Sequence, residues 1–392
     1  MVEVLGLPTK PDFNSASDVK SASIVGISKD FKLPQIWKSS IAVDYQPSLP
    51  FPLMLSAEFI YNKNINAVYQ ENLNVIDPSK LSRFEGPDNR LYYESATKTA
   101  IASNVTGGAM LLRNTNRGHS SAISLSLKAE PVRNLNVIVA YAHTEAKEIS
   151  GNPGAQSYSA WQNIPSIDSP NLTGLHPSQY LVPDKVIASL SYRLQYAKHL
   201  ATSIGIFYTG YRPGNYSYMY TTDMNQDGQK NDLIYIPKTK DELLFIDKNG
   251  FTAAEQADAF WNFVNQDSYL KEHKGEYAEA YGAYLPWVHR FDFKVVQDFK
   301  IRAGKTHHTL QVSVDILNVG NLIKSSWGVF KSTSVCNGGR LLQYEGVNEN
   351  KIPQYSMYYD TATKSFPKTT FDSDRSVSNC WKLQVGVRYI FN

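Results

Sequence analysis

The spacing of acidic and amide residues in one segment is typical of a loop that binds a hard cation. The segment reads Asp223-Met224-Asn225-Gln226-Asp227-Gly228-Gln229-Lys230-Asn231-Asp232. In calcium loops, side-chain oxygens at positions 1, 3 and 5 converge on the ion, and the glycine permits the sharp turn. Gln229 can add its backbone carbonyl, and Asp232 can replace the glutamate expected at the position of Ile234. We expect a structural Ca²⁺ here; the alternative is a solvated Asx-rich turn.

Two cysteines, Cys336 and Cys380, form the other pair of chemically reactive side chains. Their spacing does not fit a zinc site. Each lies next to a predicted strand, and both are expected at the same edge of the strand set. If that edge is extracellular and oxidising, a disulfide can persist there, provided that the Cα atoms lie within about 7 Å. The pair is a candidate disulfide, and free thiols are the alternative.

Catalytic signatures are missing from the sequence. It has no Gly-x-Ser-x-Gly elbow, no His-Glu-x-x-His pair and no Gly-x-x-x-x-Gly-Lys loop. His119, Ser120 and Asp168 lie on or near predicted loops, but three common residue types in long loops are weak grounds for a triad. We therefore expect that the protein is not an enzyme and that it requires no cofactor.

The composition favours a β-rich protein that carries many aromatic side chains on a hydrophilic background. Aromatic residues make up 12% of the 392 residues, with 25 tyrosines, while the mean hydropathy is −0.35. Membrane barrels combine aromatic girdles with a polar interior and polar loops; a tyrosine-rich soluble β-protein is the alternative. The net charge of +3 comes from scattered basic residues, which argues against nucleic acid as a partner.

Apolar and polar residues alternate with a period of two in nine segments, as they do in strands with one apolar and one polar face. The last of them is the clearest, because its odd positions are apolar from Trp381 to Phe391. The segments are Trp37–Tyr45, Leu53–Val68, Ile123–Leu127, Leu135–Tyr141, Val186–Leu194, Leu200–Ile206, Phe291–Ile301, Leu310–Ile316 and Trp381–Phe391.

Short and long connections alternate between these segments. The short ones are Pro47–Pro50, Pro131–Asn134, Ala197–His199 and Ala303–Thr306, and the long ones are Ile76–Gly118, Ile149–Pro183, Arg212–Pro286 and Ser332–Asn379. Loops this long are uncommon in compact soluble domains, whereas outer-membrane barrels have tight periplasmic turns and large extracellular loops. The sequence therefore predicts an all-β fold, a transmembrane antiparallel β-barrel, with residues 1–392 as one partial barrel domain.

The number of strands is odd, whereas single-chain bacterial barrels have an even number. A strand at Ile24–Ile27 can restore the parity. The segment Met1–Pro8 lacks the basic region and apolar core of a secretory signal, which an outer-membrane protein needs. We therefore expect that the sequence is truncated and that its signal peptide and plug domain precede it.

The longest predicted loop, residues 212–286, contains a helix signal beside the candidate calcium turn. Thr252 and Glu255 have the spacing of a capping box. Ala257, Phe260, Trp261 and Val264 follow at helical spacing, and Gly275 can end the helix. We expect a helix packed locally on the barrel rim rather than one that binds a partner.

The end of the chain matches the pattern by which outer-membrane barrels are recognised for assembly, with Gln384, Gly386, Tyr389 and Phe391 at the required spacing. The alternative is an amphipathic strand that happens to end the chain. This pattern predicts the barrel assembly machinery and outer-membrane lipid as partners.

Several segments, which occur in the same order along the chain as in the family, resemble the Oar-like branch of TonB-dependent transporters. This branch is related to the SusC-like receptors of Bacteroidetes. They are Asp30–Trp37, Asn114–Ser120, Asp223–Pro237, Lys274–Tyr277, Pro286–Asp292, Gln297–Phe299 and Asp315–Leu322. The resemblance implies a 22-strand barrel of the Gram-negative outer membrane, around a plug that couples to the TonB system. It also implies a surface lipoprotein as a candidate partner.

We therefore expect the C-terminal barrel segment of a TonB-dependent receptor for nutrient uptake. The alternatives are a complete small porin-like barrel and a soluble calcium-dependent binding protein. In the transporter barrel, the polar faces of the strands would line the lumen. The residues expected there are Arg193, Gln195, Lys294, Asp298, Gln311 and Asp315.

Overall fold

The computed structural model describes residues 24–93, 100–101, 105 and 108–391. The segment Met1–Pro8, which lacks the pattern of a secretory signal, lies outside the described residues. The described part of the chain is mostly β-structure with long connections and a few short helices. The prediction of an all-β antiparallel fold is confirmed.

A sheet of nine long strands forms the frame of the molecule, and each strand pairs antiparallel with the next one along the chain. The strands are β1 (Ile36–Tyr45), β2 (Leu53–Asn64), β3 (His119–Ala129), β4 (Leu135–Glu148), β5 (Asp184–Tyr196), β6 (Leu200–Tyr211), β7 (Val288–Ala303), β8 (Thr306–Leu317) and β9 (Lys382–Phe391). A short segment, His176–Pro177, adds to β4. Within the described residues, the outer strands β1 and β9 do not pair with each other.

The register of the sheet places most of the apolar residues of the nine strands on one face. Because side chains alternate between faces, direct cross-strand partners lie on the same face. One such row crosses eight strands without a polar residue, in the order Leu53, Ala129, Val137, Leu190, Ile206, Phe293, Ile316 and Leu383. The opposite face has a row of polar residues and glycine, in the order Asn136, Ser191, Gly205, Lys294, Asp315 and Gln384.

The connections alternate in length along the chain, as the sequence predicts. Short turns occupy residues 46–52, 130–134, 197–199 and 304–305, and long connections occupy residues 65–118, 149–183, 212–287 and 318–381. In an antiparallel sheet with neighbouring strands paired in sequence, the short turns all lie at one edge and the long connections all lie at the other. The frame therefore gathers the long connections at one end.

Short strands tie the long connections together. They are Ile24–Ile27, Ala67–Asn72, Ser82–Arg83, Leu91–Tyr92, Ala109–Thr115, Asn215–Tyr216, Met219–Tyr220, Tyr235–Ile236, Leu244–Phe245, Glu276–Tyr277, Ala283–Tyr284, Lys331–Ser332, Arg340–Val347, Pro353–Met357 and Asp372–Ser373. Two of them correct the sequence analysis. Ile24–Ile27 pairs in parallel with Ala109–Thr115 and is not a tenth strand of the frame. The predicted strand Leu53–Val68 is two strands, because β2 ends at Asn64 and Ala67–Asn72 joins the same separate sheet.

The helices also lie in the connections. The α-helices are α1 (Ser157–Gln162), α2 (Ala253–Gln266), α3 (Ser268–Glu272) and α4 (Val319–Ile323), and the 3-10 helices are Pro78–Lys80, Pro170–Leu172, Lys240–Glu242, Ser334–Gly339 and Val377–Asn379. None of the helices in the described residues is long and apolar enough to cross a membrane.

Helix α2 begins as predicted, with a reciprocal capping box between Thr252 and Glu255. It ends at Gln266 rather than at Gly275. The Asp267 carboxylate accepts hydrogen bonds from the Tyr269 and Leu270 amides and thereby starts a new helix, α3. The predicted single helix is therefore two.

The hydrophobic core lies among the long connections and not against the sheet. We call this cluster the loop core; its most deeply buried members include Tyr218, Tyr220, Met224, Ile234, Ile236, Phe260, Phe263, Val264, Leu270, Cys336, Leu341, Leu342, Tyr355 and Met357. They come from the connections 212–287 and 318–381, joined by Phe84 from the connection 65–118. Helix α2 contributes Phe260, Phe263 and Val264, so it packs locally, as expected.

Candidate functional site

The apolar face of the sheet is exposed in the isolated chain. In β9, Val385 and Val387 are 62% and 70% exposed, and in β1, Ile41 is 66% exposed. The same holds for members of every other strand, among them Phe59, Leu125, Val139, Leu190, Ile206, Phe291 and Leu310. Folding therefore does not remove this face from the solvent, in contrast to the loop core. A large unpartnered apolar surface marks a site of contact with another apolar phase or molecule.

The polar face carries ion pairs that cross between strands. Arg193 of β5 donates to Asp298 of β7 with an Nη2–Oδ2 distance of 2.5 Å. The second oxygen of Asp298 accepts a hydrogen bond from Gln311 Nε2 at 2.9 Å. Between the same two strands, β7 and β8, Lys294 Nζ lies 2.8 Å from Asp315 Oδ1. The register places Gln195 on the same face, opposite Ala201. All six residues predicted for the polar face lie there.

The four residues of the predicted assembly pattern lie on β9 and divide between its faces. Tyr389 and Phe391 are on the apolar face and are 59% and 72% exposed. The Tyr389 hydroxyl lies 2.5 Å from His308 Nδ1 of β8. Gln384 and Gly386 are on the polar face, opposite Asp315 and Ser313 of β8. A side chain at Gly386 would meet Ser313 Oγ at 2.8 Å, so the glycine allows close approach at this point.

The segment Asp223–Asp232 folds as a tight loop whose side-chain oxygens turn inward. Asp223 accepts hydrogen bonds from the amides of Asp227 and Gly228. Asn225 Oδ1 accepts from the Asp227 amide at 2.9 Å, and Asp227 Oδ1 accepts from the Gln229 amide at 2.7 Å. Gly228 has a φ of 89°, which favours glycine and explains the residue at the turn. The predicted sharp turn is present.

Asp232 has a different role from the one expected of a calcium ligand. Its Oδ2 accepts from the Met224 amide at 2.9 Å, and its Oδ1 lies 3.4 Å from Nη1 of Arg90. Both Asp232 and Arg90 are fully buried. Asp232 is thus engaged by a cation from another connection, and it is not free to close the loop around an ion.

Arg90 is the centre of a buried network that the sequence analysis missed. The guanidinium donates to both oxygens of Asp88, at 2.9 and 3.1 Å, and to the Leu233 carbonyl at 2.6 Å. The hydroxyls of Tyr220 and Tyr277 donate to Asp88, and both rings lie within 5.3 Å of the Arg90 guanidinium carbon. The only sequence signal is the turn-like run Gly86-Pro87-Asp88-Asn89-Arg90, which resembles an exposed loop.

Burial disfavours negative charge in the 223–232 loop. Desolvation raises the pKa of Asp223 to about 6. Desolvation, together with the nearby Asp223 carboxylate, raises the pKa of Asp227 to about 7. Among the described residues, no three His, Cys, Asp or Glu side chains form a metal cluster. A cation site in this loop must therefore also use the Asn225 amide oxygen and backbone carbonyls.

The two cysteines are free thiols in the structure. Cys336 is buried in the loop core, where its Sγ donates to the carbonyls of Thr333 and Thr370 at 3.3 Å. Cys380 is exposed at the start of β9. The candidate disulfide is not formed, because one thiol points into the core of the connections and the other lies outside it.

Comparisons with known proteins give little beyond this geometry. No protein-family model matches the chain. No curated protein matches it. Among solved structures, the chain is similar to the outer membrane transporter YddB from Escherichia coli, with 12% identity and a TM-score of 0.37. The match covers 95% of this chain and 35% of that one, so the chain spans about a third of that protein's length.

Proposed function

We propose that this chain forms the C-terminal part of the wall of an outer-membrane β-barrel, and that the whole protein is a TonB-dependent transporter for nutrient uptake. The observation that carries the proposal is the exposed apolar face, which continues across the sheet in register. In a barrel wall this face contacts the hydrocarbon of the membrane, and the polar face lines the lumen.

The distribution of burial supports membrane placement over a soluble fold. Soluble monomers rarely expose apolar patches larger than a few hundred Å². Here the exposed positions extend from Ile41 on the first strand to Phe391 on the last, and the same chain buries a separate core among its connections. A soluble sandwich or barrel would cover these side chains with a second layer. Lipid provides the apolar phase that the chain itself does not.

The polar face supports a water-filled interior. Charged groups such as Arg193, Asp298 and Lys294 are costly in contact with lipid but are accommodated in a hydrated lumen. Their cross-strand pairs with one another and with Asp315 compensate the charge along the wall. These residues would form part of the passage for the transported compound.

The loop core would lie outside the cell and hold the ligand before transport. It joins the long connections into one packed unit above a single edge of the sheet. An open pocket of about 360 Å³ lies between residues 165–176 and the segment 277–280. Its polar lining includes Asp168, His176 and Glu279. Such a concave surface suits a small polar or mixed ligand.

The partners follow from the same placement. The terminal residues Gln384, Gly386, Tyr389 and Phe391 would be recognised by the barrel assembly machinery, since Tyr389 and Phe391 are presented on the exposed face of the last strand. Coupling to the TonB system would act only through a plug domain encoded upstream. A surface lipoprotein would contact the outer side of the loop core.

Sequencing the DNA immediately upstream of the Met1 codon tests the proposal. We expect an in-frame segment that encodes further strand repeats, a plug domain and a secretory signal. A promoter followed directly by a signal sequence, with no room for a plug, would contradict the transporter assignment and favour a small porin-like barrel. If the segment is present, deletion of the plug domain alone, with the secretory signal and the strand repeats retained, should abolish TonB-dependent uptake while the barrel still fractionates with the outer membrane.

A further inference from the structure

We propose that the loop Asp223–Gln229 binds one Ca²⁺ ion through the side-chain oxygens of Asp223, Asn225 and Asp227 and the carbonyl of Gln229. The ion would stabilise the loop core. This site does not depend on the transport proposal, because it uses only residues within one connection.

The loop presents its oxygens in a fixed orientation. Asn225 is fully buried, and its Nδ2 donates to the Asp168 carbonyl at 2.7 Å. That bond fixes the amide so that its oxygen faces the turn, where it accepts from the Asp227 amide. Asp223 is held by two amides of the same turn. The three oxygen-bearing side chains at positions 1, 3 and 5 therefore face a common interior.

A buried oxygen without a partner points to a ligand. Asp227 is 7% exposed, and its Oδ2 has no hydrogen-bond partner among the described residues. The Tyr93 hydroxyl, in a residue that is 1% exposed, likewise has none within that part of the chain. The Tyr93 amide donates to the Asn225 carbonyl, so the unpaired oxygens of Asp227 and Tyr93 belong to neighbouring segments. Leaving a buried carboxylate oxygen unpaired is costly, and a bound cation would remove that cost.

The charge balance around the loop favours a divalent cation. Asp223, Asp227 and Asp232 bring three carboxylates into one buried region. Nearby, the guanidinium of Arg90 is already bound by both oxygens of Asp88. Asp223 and Asp227 accept hydrogen bonds from backbone amides, which carry no formal charge. A divalent ion would supply the counter-charge.

The donor set selects calcium over other common metals. It contains carboxylate, amide and carbonyl oxygens, without sulfur or imidazole, and this excludes a zinc-type site. Calcium accepts six to eight oxygen ligands in flexible geometry, whereas magnesium requires a near-ideal octahedron. Water would complete the shell, because Asp232 is engaged by Arg90. The site differs in this respect from the ligand set expected from the sequence.

Calorimetry and thermal unfolding of the full chain in detergent micelles test the proposal, with CaCl₂ as the titrant and Asp227→Asn as the variant. We expect one Ca²⁺ per chain with a Kd on the order of 0.1–1 mM, as in extracellular calcium modules. Without Ca²⁺, Asp227→Asn should unfold at a higher temperature than the wild type, because it removes a buried charge. With Ca²⁺, the order should reverse, since only the wild type gains stability.

The control is Asp241→Asn, an exposed acidic residue of the same connection, which should behave like the wild type in both conditions. A change of order between wild type and Asp227→Asn requires a bound ion and would not arise from a purely structural turn. The absence of both heat and stabilisation of the wild type at about 10 mM Ca²⁺, well above that Kd range, would overturn the proposal. Equal stabilisation of Asp227→Asn by Ca²⁺ would also overturn it.

Discussion

Nη1 of Arg90 lies 3.4 Å from Oδ1 of Asp232, and both side chains are fully buried although they are 142 positions apart in the chain. Arg90 also donates to the carbonyls of Ile167 and Leu233. One guanidinium therefore joins the connections 65–118, 149–183 and 212–287. The hydrogen bonds of this network, rather than regular secondary structure, fix how the three connections are arranged relative to one another.

Replacing Arg90 with alanine should destabilise the loop core by about 3–5 kcal/mol, because it leaves the buried carboxylates of Asp88 and Asp232 unpaired. Limited proteolysis of the connections, measured against temperature, reports the loss. Arg83→Ala is the matched control. Arg83 lies at the surface with its side chain 53% exposed and 4.0 Å from Asp168, so its removal should cost about 1 kcal/mol or less. Equal effects of the two variants would contradict the role assigned to Arg90.

This network could not be predicted from the sequence. Asp88 and Arg90 follow Gly86 and Pro87 in a run that has the composition of an exposed turn. Their burial depends on contacts with Asp232 and Tyr277, which lie far away in sequence and become neighbours only when the connections pack. Residue types and local spacing carry no information on such contacts. The calcium-like turn was predictable because the bonds that close it join residues two to five positions apart. The engagement of Asp232 by Arg90 was not predictable.

In the absence of Ca²⁺, the stability of the loop core should fall as the pH rises. The pKa values of Asp223 and Asp227 are about 6 and about 7 in the folded chain, above the ordinary value of 3.8. Between these limits the folded state binds more protons than the unfolded state, so the free energy of unfolding decreases with increasing pH. Thermal unfolding in EGTA at about pH 5 and about pH 8 should show the higher midpoint at the lower pH.

The variant Asp227→Asn cannot ionise at that position and should show a smaller change in midpoint over the same pH range. A wild-type midpoint that rises with pH in EGTA would mean that the two carboxylates are stabilised by charge in the folded state. That result would contradict the burial described for them.

Removing the cap of helix α2 should weaken the loop core slightly. Thr252 Oγ1 accepts a hydrogen bond from the Glu255 amide, and Thr252→Ala should cost about 1 kcal/mol. Thr239→Ala is a matched control, because Thr239 precedes the 3-10 helix Lys240–Glu242 without a side-chain capping bond. It should leave the unfolding midpoint of the connections nearly unchanged. If both variants lower that midpoint equally, the cap is not the cause.

The strands were predictable because their signal is periodic and long. In β9, the alternation from Leu383 to Phe391 fixes both the strand and its faces. On β8, the apolar residues Ile316 and Val314 pair with the apolar residues Leu383 and Val385. The prediction was wrong where alternation continues past the end of a strand. Apolar Ile65 and Ala67 continue the odd-numbered alternation of β2, but Ala67–Asn72 leaves the frame and pairs with Ala109–Thr115. Periodicity identifies strands, and it does not identify the sheet to which they belong.

A charged side chain should lower the free energy of unfolding much more on the apolar face of the sheet than on the polar face. Leu190→Arg on β5 would place a guanidinium among Val137 and Ile206, at a cost of about 2–4 kcal/mol if the site lies near the middle of the membrane. Ser191→Arg places the same group on the polar face and should cost much less. Folding yield in lipid vesicles and the midpoint of urea unfolding measure both. A larger loss for Ser191→Arg would reverse the assignment of the faces.

The most direct test of the membrane assignment is the accessibility of nitroxide labels on adjacent residues within each of two strands, β3 and β9. Labels at Val387 and Leu125 on the apolar face, and at Arg388 and Ser126 on the polar face, would be introduced into a chain with Cys336→Ala and Cys380→Ser, reconstituted in lipid vesicles. We predict that the apolar pair collides with lipid-soluble oxygen and that the polar pair collides with a water-soluble nickel chelate. A chain that stays monomeric in water without detergent, with Val387 and Leu125 shielded from both reagents, would contradict the account.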